Sequence, residues 1–311
     1  MTIVNQGNCR QSAKIIVNPI LRWGRLKAKQ LMVSLSGGIV AGLLSAVSAA
    51  QALQVQVTPA NPELGDTLSV VIQVNSSSPT PTVSVLQKNY PAFPMGNNRF
   101  RALLPTTPLE KAGARLLQVA GDGQVQRLSV QVRSRNFPTQ SITLPPGKDQ
   151  EGTDAEFDRV DAFKALVTPQ KFWNGPLLRP NSGEITTIYG VRRYYNGIFA
   201  QDYYHRGVDY AGAYGSPVMA PAAGRVSLVG RESQGFKIHG NVVGIDHGQG
   251  VASILMHLSR IDVKEGDFVQ AGQVIGALGS TGASTGPHLH WGLYVQGQSV
   301  DPVPWRLRGI E

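Results

Sequence analysis

All six histidines of this 311-residue chain fall between His205 and His290. Three of them sit in two tight signatures, His205-Arg206-Gly207-Val208-Asp209 and His288-Leu289-His290, with His257 in Met256-His257-Leu258 between them. Histidine is the commonest metal ligand and the usual proton carrier at neutral pH. A catalytic metal site takes three protein ligands and keeps one position open for water. Gly207 argues against a helix through the first signature, and an even spacing along an extended segment puts His205 and Asp209 on one face. The two-residue spacing of His288 and His290 does the same on a strand. Two such pairs facing each other supply three ligands and one further imidazole. The only cysteine is Cys9, far along the chain from these residues, so thiolate ligands are absent and the donor set suits zinc best, with iron and manganese also compatible with these ligand types.

Strands must carry these pairs, and the surrounding sequence reads as strands and glycine turns. From about residue 183 come Val218-Met219-Ala220-Pro221, Val242-Val243-Gly244-Ile245 and Val251-Ala252-Ser253-Ile254-Leu255. Upstream, residues 53–135 read as all-β: Leu68, Val70, Ile72 and Val74 alternate along one face, and Val125–Val132 repeats the pattern. Turn clusters such as Pro59-Ala60-Asn61-Pro62 and Met95-Gly96-Asn97-Asn98 separate the runs. Short strands at this spacing predict a small sandwich of immunoglobulin-like size. Residues 136–175 read as a linker. Within them Thr153-Asp154-Ala155-Glu156 is a capping box, followed by Phe157, Val160, Phe163, Leu166 and Val167 at helical spacing, which predicts one helix over about 154–167.

Residues 176–311, read as one β-rich domain, carry a resemblance. The His-x-x-x-Asp of His205 and Asp209, the distant Met256-His257-Leu258, and Gly279-Ser280-Thr281-Gly282 leading into Gly286-Pro287-His288-Leu289-His290-Trp291-Gly292 together resemble the lysostaphin/LytM-type zinc metallopeptidases. The resemblance implies a LytM-type (duplicated hybrid motif) fold. It also implies zinc held by His205, Asp209 and His290, with His257 and His288 catalytic. All five positions are filled, whereas non-enzymatic relatives that activate other wall hydrolases lose some of them. That regulator role is the competing reading. There is no His-Glu-x-x-His motif, so the free imidazoles take the place of a helical glutamate base. The substrate implied is the peptide cross-links of bacterial peptidoglycan.

Other residues are expected to play plainer parts. His239 and His247 read as strand-end and turn residues without a role in chemistry. Asn241 reads equally as a substrate contact or a turn residue. Arg192, Arg193, Tyr194 and Tyr195 read as a loop before the site, either lining a groove or solvated. Val263–Gly276 is similar to the hairpin of biotinyl carrier domains, but the corresponding turn, Ser280-Thr281-Gly282-Ala283, has no lysine to modify.

The net charge of +9 is concentrated at the start of the chain. Residues 1–52 hold six Lys or Arg and no Asp or Glu, leaving only +3 for the rest, so no basic stripe points to nucleic acid. After Lys29, Leu31–Val47 is uncharged and ends near Ala50-Gln51-Ala52, an A-x-A site. This order predicts a secretory signal, with a mature chain from about Leu53 in the periplasm or cell-wall space. The alternative is an uncleaved anchor that keeps the chain at the membrane. Oligomeric state is left open.

Overall fold

A computed structural model describes residues 53–75, 79–147 and 151–310 of the chain. The expected signal or anchor segment, residues 1–52, lies outside the described residues.

The N-terminal unit is built from seven antiparallel strands: β1 (Gln54–Thr58), β2 (Thr67–Gln73), β3 (Thr82–Val85), β4 (Lys88–Gly96), β5 (Arg99–Pro105), β6 (Gly113–Gly121) and β7 (Gln124–Val132). Their order is β1-β2-β5-β4-β3-β6-β7. The middle strand β4 pairs with β3 through Lys88–Pro91 and with β5 through Ala92–Gly96, so it carries the sheet from one half to the other. Leu68, Val70, Ile72 and Val74 point inward as their alternation predicts, and share one core with Val83, Leu117 and Val119 from the other half. The opposite face of β2 and β5 is also buried. Thr67, Ser69, Arg101 and Leu103 are each 3% exposed or less.

Next come β8 (Thr139–Ile142) and helix α1 (Asp154–Lys164). Then follow β9 (Glu184–Thr187), β10 (Arg192–Tyr195), β11 (Ile198–Phe199), β12 (Val208–Ala211), β13 (Pro217–Met219), β14 (Gly224–Gly230), β15 (Val242–Gly248) and β16 (Val251–Met256). The chain ends with β17 (Arg260–Ile261), β18 (Phe268–Val269), β19 (Val274–Ala277), β20 (His288–Val295), β21 (Gln298–Val300) and α2 (Pro302–Leu307). The main sheet runs β18-β14-β15-β16-β20-β12-β9, with β21 on β20, and β13-β19-β17 form a smaller sheet. β15 is buried along its whole length because both faces of the sheet are covered. One face packs into a core with Trp173, Leu278 and Trp305. The other packs under α1, where Val160 and Phe163 meet Leu228, Val242 and Ile254.

Helix α1 begins where the capping box predicts: Thr153 Oγ1 accepts from the Glu156 amide at 3.1 Å. It stops at Lys164, short of the expected 167. Leu166 and Val167 stay 36% and 43% exposed, and Pro169 disfavours helical backbone at the residue before it. The buried stripe is also turned. Phe157 is 43% exposed, while Glu156 is buried.

Two features join the N-terminal unit to the rest. Within the stretch read as linker, β8 pairs in parallel with β10. Leu103 of β5 belongs to the core of Trp173 and Trp305, and Trp305 Nε1 donates to Thr67 Oγ1 at 3.1 Å. Arg101 stacks over Trp173 and donates to Gln249 Oε1 at 2.8 Å. The face of β2 and β5 opposite their own core is therefore a second packing surface. Leu103→Ala should lower stability by about 2–5 kcal/mol. Denaturant unfolding followed by the fluorescence of Trp173 and Trp305 checks this. An unshifted midpoint would mean that the two units unfold independently.

Candidate metal centre

The register of two strands sets the site. β12 and β20 are antiparallel neighbours, and Asp209 lies directly opposite His290. Residues opposite each other in such a pair point to the same face. His288, two residues before His290, shares that face. His205 reaches it from the turn preceding β12, where the chain crosses over β20. A Cβ at Gly207 would stand 2.2 Å from the Trp291 carbonyl oxygen and 2.8 Å from His290 Nε2, so only glycine permits the crossing. The turn is held by the His205 amide donating to the Val191 carbonyl at 2.8 Å.

His205 Nε2, Asp209 Oδ1 and His290 Nδ1 are mutually 2.9 Å apart. All three residues are buried. His205 Nδ1 lies 2.8 Å from the Ile188 carbonyl oxygen, which makes Nδ1 the protonated nitrogen and leaves a lone pair on Nε2. Three electron-rich atoms thus converge with too few protons to satisfy one another, which fits a cation and not an ordinary hydrogen-bond cluster. Burial alone would raise the Asp209 pKa, but the His205 and His290 rings outweigh it and hold the carboxyl well below its usual range. Burial pushes His290 down to about 4, against the opposing pull of Asp209. Ionised carboxylate and neutral imidazole are the forms that bind a metal.

The remaining pair overlooks this triad. His257 is the first residue past β16, in a left-handed conformation at φ 64°. Its amide donates to the His239 carbonyl at 3.1 Å, and its Nδ1 lies 2.8 Å from the Thr281 carbonyl oxygen. Burial, reinforced by His288 and His290, holds its pKa well below the usual value, so the ring is neutral with a free lone pair on Nε2. His288 Nδ1 lies 2.8 Å from the Gly286 carbonyl oxygen, and its Nε2 is 3.9 Å from Asp209 Oδ1. The two ring centroids are 4.7 Å apart. The structure therefore brings all five expected residues together.

Other residues resolve differently. Asn241 accepts from the Glu232 amide at 3.1 Å and donates to the Leu258 carbonyl at 3.0 Å, which makes it a loop brace. His247 is buried between the Ala223 carbonyl and Ser253 Oγ, both at 2.9 Å. Arg192–Tyr195 is strand β10, not a solvated loop. Arg193 is 8% exposed and donates to Asp209 Oδ2 at 3.3 Å. Nothing in the polar run Arg-Arg-Tyr-Tyr marks one arginine as inward, and Thr281, whose carbonyl fixes the His257 ring, stands in the Gly279-Ser280-Thr281-Gly282 run of the resemblance with no role assigned to it there.

His239 has a structural partner. The Glu156 carboxylate, at 0% side-chain exposure, lies 2.6 Å from His239 Nδ1. It also accepts from the amides of Lys237, Ile238 and His239 at 2.9, 3.1 and 2.7 Å. This anchors the loop whose His239 carbonyl receives the His257 amide. Burial alone would raise the Glu156 pKa, but His239 and the amides prevail and lower it from the ordinary 4.5. With the folded value below the unfolded one, the stabilisation is complete above the ordinary range and is lost as pH falls through the folded value. Glu156→Gln should therefore cost about 1.5–3 kcal/mol near pH 7. The gap in melting temperature from wild type should close as pH drops below 4.5. A gap independent of pH would contradict this account.

Residues 203–302 match the model of Peptidase family M23, a span that contains all five site residues. The chain is 46% identical over 99 residues to the DD-carboxypeptidase/endopeptidase Mpg of Neisseria meningitidis serogroup B, which is 32% of this chain and 22% of that one. It is 42% identical over 106 residues to lysostaphin of Staphylococcus staphylolyticus (32% and 22%). The match spans about a fifth of the length of these relatives. A solved peptidase M23 structure from Pseudomonas aeruginosa aligns over 80% of this chain and 96% of its own at 26% identity, with a TM-score of 0.60.

Proposed function

Residues 203–302 form a domain of peptidase family M23, and from that premise we propose that the protein is a zinc metalloendopeptidase acting on the peptide cross-links of bacterial peptidoglycan. One observation carries the reading: two imidazole nitrogens and a carboxylate oxygen meet within 4.8 Å, overlooked by two further imidazoles.

His205, Asp209 and His290 would hold the ion. Bound there, zinc would supply a Lewis acid for the scissile carbonyl and a water whose pKa falls toward neutrality. The chain's own residues supply the proton traffic. His257 is neutral, and with Nδ1 engaged by the Thr281 carbonyl it offers Nε2 as the proton acceptor. His288 is 18% exposed at its side chain, and its Nε2 faces the Asp209 carboxylate. From there the ring is placed to hydrogen-bond the developing oxyanion and to pass a proton to the leaving amine. The turn containing Thr281 and the strand β20 fix both rings before substrate arrives.

We read the seven-stranded N-terminal unit as an accessory sandwich of immunoglobulin-like size. The protein's place is outside the cytoplasmic membrane, either released by cleavage near Leu53 or held by residues 1–52. Relatives named for endopeptidase activity support the substrate class, among them the peptidoglycan DD-endopeptidase ShyA of Vibrio cholerae, 41% identical over 99 residues. No helix among the described residues is long and apolar enough to cross a membrane. The filled five-residue set weighs against a regulator that binds wall without cutting it.

The test is digestion of purified peptidoglycan with zinc-loaded protein, the soluble products being separated by mass. Cross-linked dimers should give way to monomers with a new free amine and intact glycan. Unchanged dimers would leave the regulator reading in its place.

A further inference from the structure

Asp209 has two carboxylate oxygens, and they face different partners. Oδ1 turns to His205 and His290 at 2.9 Å. Oδ2 receives Arg193 at 3.3 Å. Both side chains are largely enclosed, 10% exposed for Arg193 and 9% for Asp209. A buried guanidinium is costly unless paired, and Arg193 has few partners to offset that cost. The other bond is from Nη1 to Tyr195 Oη at 3.1 Å, and its Nε has no hydrogen-bond partner. An arginine placed only to tie strands together would be expected to saturate its fork on backbone carbonyls. This one spends an end of its fork on the carboxylate.

The arginine is itself held firmly. Its strand β10 is paired on one side with β11 and on the other with β8, the strand contributed by the stretch before α1. The Arg193 carbonyl accepts from the Ala200 amide at 2.9 Å. Tyr195, the residue bonded to Nη1, lies within 3.5 Å of the Tyr203 hydroxyl, two residues before His205.

We propose that Arg193 is a positioning residue of the metal centre: by occupying Asp209 Oδ2 it presents Oδ1 alone to the ion, and so keeps one coordination position free for water. The proposal rests on the zinc reading above. It assigns the segment Arg192–Tyr195, which lies outside the matched span of 203–302, a part in the chemistry. The planar fork is what matters, since it fixes one carboxylate oxygen in direction as well as in charge, which an ammonium group does not.

The experiment loads full-length wild type, Arg193→Gln, Arg193→Lys and Tyr195→Phe with cobalt(II) in place of zinc. Affinity is measured by competition with a chelator, and coordination by the intensity of visible absorption, which is strong for four ligands and weak for five or six. Wild type should take one ion per chain and absorb strongly. Arg193→Gln should bind about 10–100-fold more weakly, the cost typical of losing a ligand's hydrogen-bond partner. Its absorption should fall as Oδ2 joins the ion. Arg193→Lys should restore part of the affinity but not the spectrum, and Tyr195→Phe should move both in the same direction by less. A folded Arg193→Gln with wild-type affinity and spectrum overturns the proposal. If that variant does not fold, unchanged affinity and spectrum in Tyr195→Phe overturn it instead. Wild type that takes up no cobalt removes the metal reading together with this one, whereas loaded and indistinguishable variants remove only this one.

Discussion

Replacing His205 or Asp209 by alanine is expected to abolish stoichiometric zinc binding. Each supplies one of three donor atoms that stand 2.9 Å apart, and removing one leaves two, which is fewer than a zinc site of this kind uses. The affinity loss should exceed the roughly 10–100-fold that follows when only a ligand's hydrogen-bond partner is lost. Asp209→Ala carries a second penalty, because it leaves Arg193 buried without its carboxylate, a change that typically costs about 3–5 kcal/mol. Asp209→Asn keeps the shape and separates the two effects. Metal content after dialysis, measured by mass spectrometry against protein concentration, checks the prediction. Full zinc occupancy in both alanine variants would overturn the ligand assignment.

His257 and His288 should behave in the opposite way, with metal retained and turnover lost. Their Nδ1 atoms are engaged by the carbonyls of Thr281 and Gly286, and neither ring belongs to the converging triad. Loss of a positioned acid or base typically slows a reaction by about 10²–10⁴-fold. His288→Ala tests one role directly. For His257 the better substitution is His257→Asn, because the residue sits at φ 64° and asparagine tolerates that conformation better than alanine. Release of monomers from cross-linked peptidoglycan, with zinc content measured on the same samples, gives both readouts. Wild-type rates in either variant would remove its catalytic role, and loss of zinc would show that it serves the ligand set instead.

Much of the site is legible before any folding. His205, Asp209, His257, His288 and His290 are rare residues in an ordered pattern, and the two-residue step of His288 to His290 predicts a shared face wherever β20 lies. The alternation of Leu68, Val70, Ile72 and Val74 likewise finds their common core, since period-2 hydrophobicity encodes one buried face. It says nothing of a second. Thr67 and Ser69, between those positions, and Arg101 on the paired strand are polar yet buried, because the opposite face of their sheet docks on Trp173 and Trp305. Glu156 misleads in the same way. A carboxylate on the buried side of a helix looks wrong until the amides of 237–239 arrive to satisfy it.

Sequence alone is enough to name the candidate site side chains, the β class of the chain, and the start of α1. Residue type and short periodicity settle those locally. Folding is what sets Asp209 opposite His290, 81 positions away, brings Thr281 to His257 across 24, and brings Arg193 to Asp209 across 16. Each of these contacts depends on which strands become neighbours and in what register. Strand order is set by how whole faces are buried, a property of the assembled sheets that no local run of residues contains.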